Sequence, residues 1–192
     1  EILNLEEKYG MIDTLSYVIK PNSGDIFQKD VLRLIHELTE ISWKTPYSSR
    51  VSSLTNHQYT TVDGDDINID DFISDIENLT DENLINLREL ALAENTIVNF
   101  ILSKSARVAF VNISLDMPDG MGFDDPINFA EEQKKLFNKK YPGVFVTVAG
   151  SSRYSHNFQT TARSDATTMY PGFLILIIML SYAVSYTHLR AH

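Results

Sequence analysis

The twelve residues Phe173-Leu174-Ile175-Leu176-Ile177-Ile178-Met179-Leu180-Ser181-Tyr182-Ala183-Val184 carry no charge and form the most apolar window of the chain. Such a run must be withdrawn from water. A protein core would hold it as a buried C-terminal helix or strand, and a bilayer would hold it as part of a spanning helix. A hydrocarbon layer of ~30 Å asks for about 20 apolar residues, and at ~1.5 Å per residue these twelve reach roughly 18 Å. Because the run stands so far apart from the polar sequence before it, residues 173–184 are expected to be a truncated transmembrane helix. Residues 185–192 turn polar without a cap and resemble the scar of vector or adapter sequence. They are read as a non-native tail, so Arg190 does not orient the run by the positive-inside rule. The chain opens on Glu1 rather than Met, with no charged and apolar leader, and reads as the interior of a longer protein.

The rest of the chain has enough apolar material to pack. With 43% hydrophobic and 22% charged residues among 192, it is neither disordered nor collagen-like. Twenty-six acidic residues against sixteen basic ones leave a net charge of −10, which argues against a nucleic-acid binder, because phosphate backbones are held by Lys and Arg. The absence of cysteine excludes disulfides, thiolate catalysis and Cys-type zinc or iron–sulfur sites, and leaves the redox compartment open.

Periodicity then divides residues 1–150. Leu15, Tyr17 and Ile19 alternate with Ser16, Val18 and Lys20, a strand signal broken by Pro21-Asn22-Ser23-Gly24. Asp25 and Gln28 read as a capping box ahead of a helix with Phe27, Val31, Leu34, Ile35, Leu38 and Ile41 on one face. Residues Arg50 to Leu54 and His57 to Val62 read as strand, and Asp63-Gly64 as a hairpin turn before Ile67-Asn68-Ile69. Thr80, followed by Asp81 and Glu82, begins a helix with Leu84, Leu87 and Ala91 inward. Val108 to Leu115 alternates again. Asp125-Pro126 places proline at the first position of a helix whose buried stripe is Phe129, Ala130, Leu136 and Phe137, with Pro142-Gly143 as its stop and Val144, Val146 and Val148 as a last strand. Strand–helix–strand thus occurs twice, around 13–62 and 106–149. The expected fold is α+β, a ferredoxin-like split βαβ with a four-stranded sheet covered on one face by helices. Residues 151–172 read as a polar stalk to the apolar run.

Chemistry-bearing groups do not assemble into a site. Asp63, Asp65, Asp66, Asp70 and Asp71 invite calcium, but Gly64 is second in that loop where an EF-hand needs glycine sixth, and no glutamate closes it. A solvated hairpin turn is the expectation. Ser151, Ser152, His156 and Asp165 hold the residue types of a hydrolase triad, yet Gly150-Ser151-Ser152-Arg153-Tyr154 lacks the second glycine of a nucleophile elbow. His36, His57, His156, His188 and His192 show no metal spacing except the pair His188 and His192 in the presumed tail. His36 reads as a half-exposed structural histidine. No Gly-rich phosphate loop is present. Catalytic, cofactor and metal residues are accordingly none, and the chain does not read as an enzyme.

Trp43-Lys44-Thr45-Pro46-Tyr47-Ser48-Ser49-Arg50-Val51-Ser52-Ser53-Leu54-Thr55-Asn56, continuing through Gln58-Tyr59-Thr60 and Gly64-Asp65-Asp66, resembles the first extracytoplasmic porter domain of exporters of the resistance-nodulation-division (RND) superfamily, MMPL type. The order along the chain carries the resemblance over residues 1–184: a strand with Asp13, the long helix, the serine-rich turn, the Thr80 helix, the strands at Val108 and before Gly150, then Asp165, Pro171 and the apolar run. Taken by itself, Trp43 reads as a core anchor and the serines as turn formers. Ser52 stands where an acidic residue is more usual in this group. The resemblance implies a proton-driven efflux protein of the bacterial inner membrane, with residues 1–170 periplasmic and a second span beginning near Pro171. Its implied partners are the lipid bilayer, a hydrophobic or lipid-like substrate and the other porter modules of the same transporter. The proton-relay residues of such proteins lie in spans outside this chain. An alternative is a membrane-tethered ligand-binding or sensor domain, since fold alone does not fix function.

Overall fold

The computed structural model describes residues 13–63, 66–73, 75–118 and 120–190. Strand β1, Asp13–Pro21, runs through the centre of a four-stranded sheet because its alternation gives it one face of Leu15, Tyr17 and Ile19, all fully buried. It pairs antiparallel with β5 (Ala109–Leu115), Leu15 opposite Ile113 and Tyr17 opposite Val111, and on its other edge with β6 (Val144–Ala149), Tyr17 opposite Val148 and Ile19 opposite Val146. Strand β2 (Ser48–Ser52) pairs antiparallel with the outer edge of β5, with an irregularity between Ser48 and Arg50. The order across the sheet is β2-β5-β1-β6. The architecture is α+β with a four-stranded antiparallel sheet.

Helix α1, Lys29–Ser42, joins β1 to β2, and its Val31, Leu34, Ile35 and Leu38 all enter the core as their spacing predicts. Helix α3, Asp124–Lys140, joins β5 to β6 and sends in Ile127, Ala130 and Phe137. Both helices thus pack their apolar stripes into one cluster with Val111, Ile113, Val146 and Val148. Each fully buried aliphatic side chain there contributes roughly 1.5–3 kcal/mol. Helix α2, Asp81–Ala93, starts as expected. Thr80 Oγ1 accepts from the Asn83 amide at 3.2 Å and Asn83 Oδ1 accepts from the Thr80 amide at 2.9 Å, and Leu84 and Ala91 are buried.

Several local expectations are corrected. The Asp25 and Gln28 capping box does not form. Asp25 Oδ1 instead accepts from the Phe27 amide, Gln28 Nε2 donates to the Ser23 and Asp25 carbonyls, and the helix starts at Lys29. Pro126 is the third residue of α3, not the first, behind Asp124 and Asp125, whose charges favour that helix end. Leu136 points outward, 53% exposed, because Phe137 takes the inward position about 100° around the helix. Trp43 is no core anchor; it is 49% exposed. The first strand–helix–strand unit closes at Ser52 rather than near residue 62. Strand β3 (Gln58–Asp63) leaves the sheet and, among the described residues, pairs only with β4 (Asp66–Asp71), as a separate two-stranded hairpin whose Asp63-Gly64 turn lies partly outside them.

Tyr17 is the largest fully buried side chain, and among the described residues its hydroxyl has no hydrogen-bond partner. Burial pushes its phenol well above the ordinary range. Above pH about 10 the unfolded chain releases this proton while the fold retains it, so stability falls as pH rises through that value. Tyr17→Phe is expected to stabilise the fold by about 1 kcal/mol at pH 7 and to flatten that alkaline loss, as read by urea midpoints between pH 7 and 11.

The chain divides into two units, the first ending at Arg153 and the second beginning at Tyr154. Helix α4, Ser151–Arg190, is continuous, with Pro171 inside it. The stretch expected to be a stalk is therefore helical, and the helix continues through residues 185–190 of the expected non-native tail.

Candidate functional site

The strand alternation that fills the core gives the sheet a second face. Ser16, Val18 and Lys20 of β1, Phe110, Asn112 and Ser114 of β5, and Phe145, Thr147 and Ala149 of β6 lie on it, half-buried or exposed. Helices α1 and α3 pack against the sheet and send their buried side chains into the cluster formed by the opposite face. Register sets Val18 between Phe110 and Thr147 and Lys20 beside Phe145, which is 54% exposed. Ser16 Oγ donates to Asn112 Oδ1 at 2.7 Å, and Asn112 Nδ2 donates to the Phe100 carbonyl at 2.8 Å, so these two polar side chains are already engaged. The result is a preformed surface with an apolar strip.

β6 passes into α4 through Gly150 alone. Its φ is +123°, and a Cβ there would sit 2.3 Å from the Thr14 carbonyl oxygen. Only glycine permits that approach. Ser151 Oγ accepts from the Thr14 amide at 3.0 Å, Ser152 is fully buried, and Arg153 and Lys134 both pair with Glu131 on α3. The first turn of α4 is thereby fixed to β1 and α3.

Beyond this junction, Ala166 to Leu189 contains no Asp, Glu, Lys or Arg, a stretch of about 36 Å at ~1.5 Å per residue. By length and composition α4 is long and apolar enough to cross a membrane, and its apolar window is not buried by protein. Phe173 to Leu180 are all exposed, with Tyr170 and Tyr182 flanking them.

The residue types considered for catalysis do not converge. Ser151 is engaged by Thr14, and Asp165 follows His156 by nine residues on the same helix, roughly 13 Å along its axis. His36 is exposed, and His57 Nε2 lies 3.3 Å from Thr96 Oγ1. Asp63, Asp66, Asp70 and Asp71 belong to the β3–β4 hairpin, and Asp65 is outside the described residues. Among the described residues no group of three His, Asp or Glu gathers for a metal.

The serine-rich stretch forms a buried polar knot. Ser53 Oγ lies 2.8 Å from Thr39 Oγ1 and 3.1 Å from Thr55 Oγ1, Asn56 Oδ1 accepts from the Ser53 amide at 2.7 Å, and Asn56 Nδ2 donates to the Val51 carbonyl at 2.9 Å. This knot ends β2 under α1. Trp43 and Arg50 border a cleft of about 350 Å³ beside it. Asn56→Ala orphans a donor and an acceptor and is expected to cost about 1–3 kcal/mol, with Asn56→Asp intermediate because it keeps the acceptor; denaturant midpoints of the two variants check this.

The segment 94–105 has no periodicity to mark it, yet Ile97 and Leu102 are fully buried in it and Leu102 bridges to Ala109. Comparison with protein-family models, curated proteins and solved structures finds no match to this chain.

Proposed function

We propose that this chain is the first periplasmic porter module, with its adjoining span, of a proton-driven RND exporter of the MMPL type in a bacterial inner membrane. Its sheet is then the ferredoxin-like split βαβ of such modules. What supports that topology is the order β2-β5-β1-β6, in which each helical crossover, by α1 and by α3, skips one antiparallel strand.

The observation that carries the functional reading is a sheet with one covered and one open face, running through a single glycine into a helix with an uncharged stretch of spanning length. In a transporter the open face meets a neighbouring porter module, and a hydrophobic or lipid-like substrate passes in the cleft between them. Val18, Phe110 and Phe145 supply the apolar wall. Tilting of the span reaches the sheet through the Gly150–Arg153 junction. No residue here performs chemistry, and proton coupling belongs to ionisable groups in other spans, where burial in lipid makes them functional.

A flexible Gly/Ser insertion after Arg163 in the full-length exporter tests this. Export should fall to background while the melting of the sheet domain is unchanged. Unchanged export contradicts mechanical coupling and favours a membrane-tethered ligand-binding or sensor domain.

A further inference from the structure

A cleft of about 920 Å³ lies at the opposite end of β1 from the α4 junction. Its walls come from three separate stretches: Lys20 to Asp25 at the end of β1 and the turn after it, Arg88 on α2, and Ser105 and Arg107 before β5. These walls are held in place by backbone bonds. The Ile26 amide donates to the Ala106 carbonyl at 2.9 Å and the Asn22 amide to the Gly143 carbonyl at 3.0 Å. Gly24, at φ +74°, lets the turn close over Gln28, whose Nε2 would lie 2.6 Å from a Cβ at that position.

The charge inside this cleft runs against the rest of the molecule. Lys20, Arg88 and Arg107 face it with Asp25 as the single carboxylate, a local balance of +2 on a chain of −10. Asp25 is already occupied: its Oδ1 accepts from the Phe27 amide at 3.0 Å and its Oδ2 from Arg88 Nε at 2.9 Å. That pair fixes the Arg88 guanidinium and leaves its two terminal nitrogens without a partner among the described residues. Lys20 and Arg107 are exposed and have no ion-pair partner there either. The amides of Ser23 and Gly24 likewise have no acceptor among the described residues. A ligand that satisfies two or three convergent cations and adjacent amides is a compact dianion, because charge-assisted bonds to several oxygens of one group are the strong ones. The overall negative charge repels a long polyanion, whereas a single group inside the cleft meets the local excess of cations.

We propose that this cleft is a binding site for a phosphate group, carried by a soluble phosphorylated molecule or by a lipid headgroup. The site stands independently of the transport reading. Its test is calorimetric titration of the full chain, reconstituted in zwitterionic nanodiscs, with pyrophosphate and separately with dihexanoyl phosphatidic acid below its micelle concentration. Saturable binding is expected, weakening at least tenfold in the Lys20→Gln/Arg107→Gln double variant, whose two side chains make no ion pair among the described residues, and weakening again in the parent chain between 20 and 300 mM salt. Mutual competition places both ligands at one site. Lipid binding tenfold tighter than pyrophosphate assigns a headgroup, and equal or weaker lipid binding assigns a soluble phosphate. Absence of binding by both ligands up to 5 mM, binding that survives the double variant, or binding indifferent to salt overturns the proposal.

Discussion

Gly150→Ala is expected to destabilise the sheet by about 3 kcal/mol, and Gly150→Val by more. Two costs combine. Alanine at φ +123° is in a region nearly closed to L residues, for about 1–3 kcal/mol. Its Cβ would also meet the Thr14 carbonyl oxygen at 2.3 Å and Leu15 Cα at 3.0 Å, and these are backbone atoms of the central strand. Relief requires moving β1 against β6 near Ser16 and Ala149, where the two strands are in register. Gly143→Ala is the control, since a Cβ there meets nothing within 4 Å, and it should stay within about 1 kcal/mol of the parent. Urea midpoints in detergent read both. Equal midpoints for Gly150→Ala and Gly143→Ala would contradict this account of the junction.

Leu176→Arg is expected to expel α4 from the bilayer. The substitution falls near the middle of the uncharged stretch from Ala166 to Leu189, where arginine costs about 2.5–3.5 kcal/mol on the insertion scale and the leucine contribution is lost as well. That is on the order of a hundredfold in partitioning, enough to move most of the chain into the alkali-extractable fraction of a membrane preparation. Thr161→Arg, on the polar exposed part of the same helix, should leave the fraction unchanged. Retention of Leu176→Arg in the membrane at the parent level would argue that α4 is held by something other than lipid.

What the sequence made legible was periodic. The alternation in β1, β5 and β6 and the stripe of α1 were readable because one repeating contact, with the core, selects every second residue or every third and fourth. The Thr80 cap was readable from residue type, a threonine followed by Asp81 and Glu82, because capping is a local contact; its partner Asn83 is three residues away. What was not legible depends on distant neighbours. The role of Gly150 is set by Thr14, 136 residues earlier, so in the sequence it registers only as part of an incomplete motif. The departure of β3 from the sheet follows from the Ser53-Asn56 knot, whose Thr39 partner lies on α1. Ile97 and Leu102 entered the core from a segment without a period, and Trp43, judged by residue type, was assigned inside. The anion cleft joins Lys20, Arg88 and Arg107 across nearly 90 residues, with no local motif to mark it.

The chain has no cysteine, so single-cysteine labelling in spheroplasts can test directly whether α4 crosses a bilayer. Asn95→Cys, exposed in the first unit, and Ile177→Cys, in the apolar stretch, are treated with a membrane-impermeant maleimide. The account predicts that Asn95→Cys reacts in intact spheroplasts while Ile177→Cys stays unlabelled until detergent dissolves the membrane. Labelling of Ile177→Cys at the rate of Asn95→Cys without detergent would contradict it.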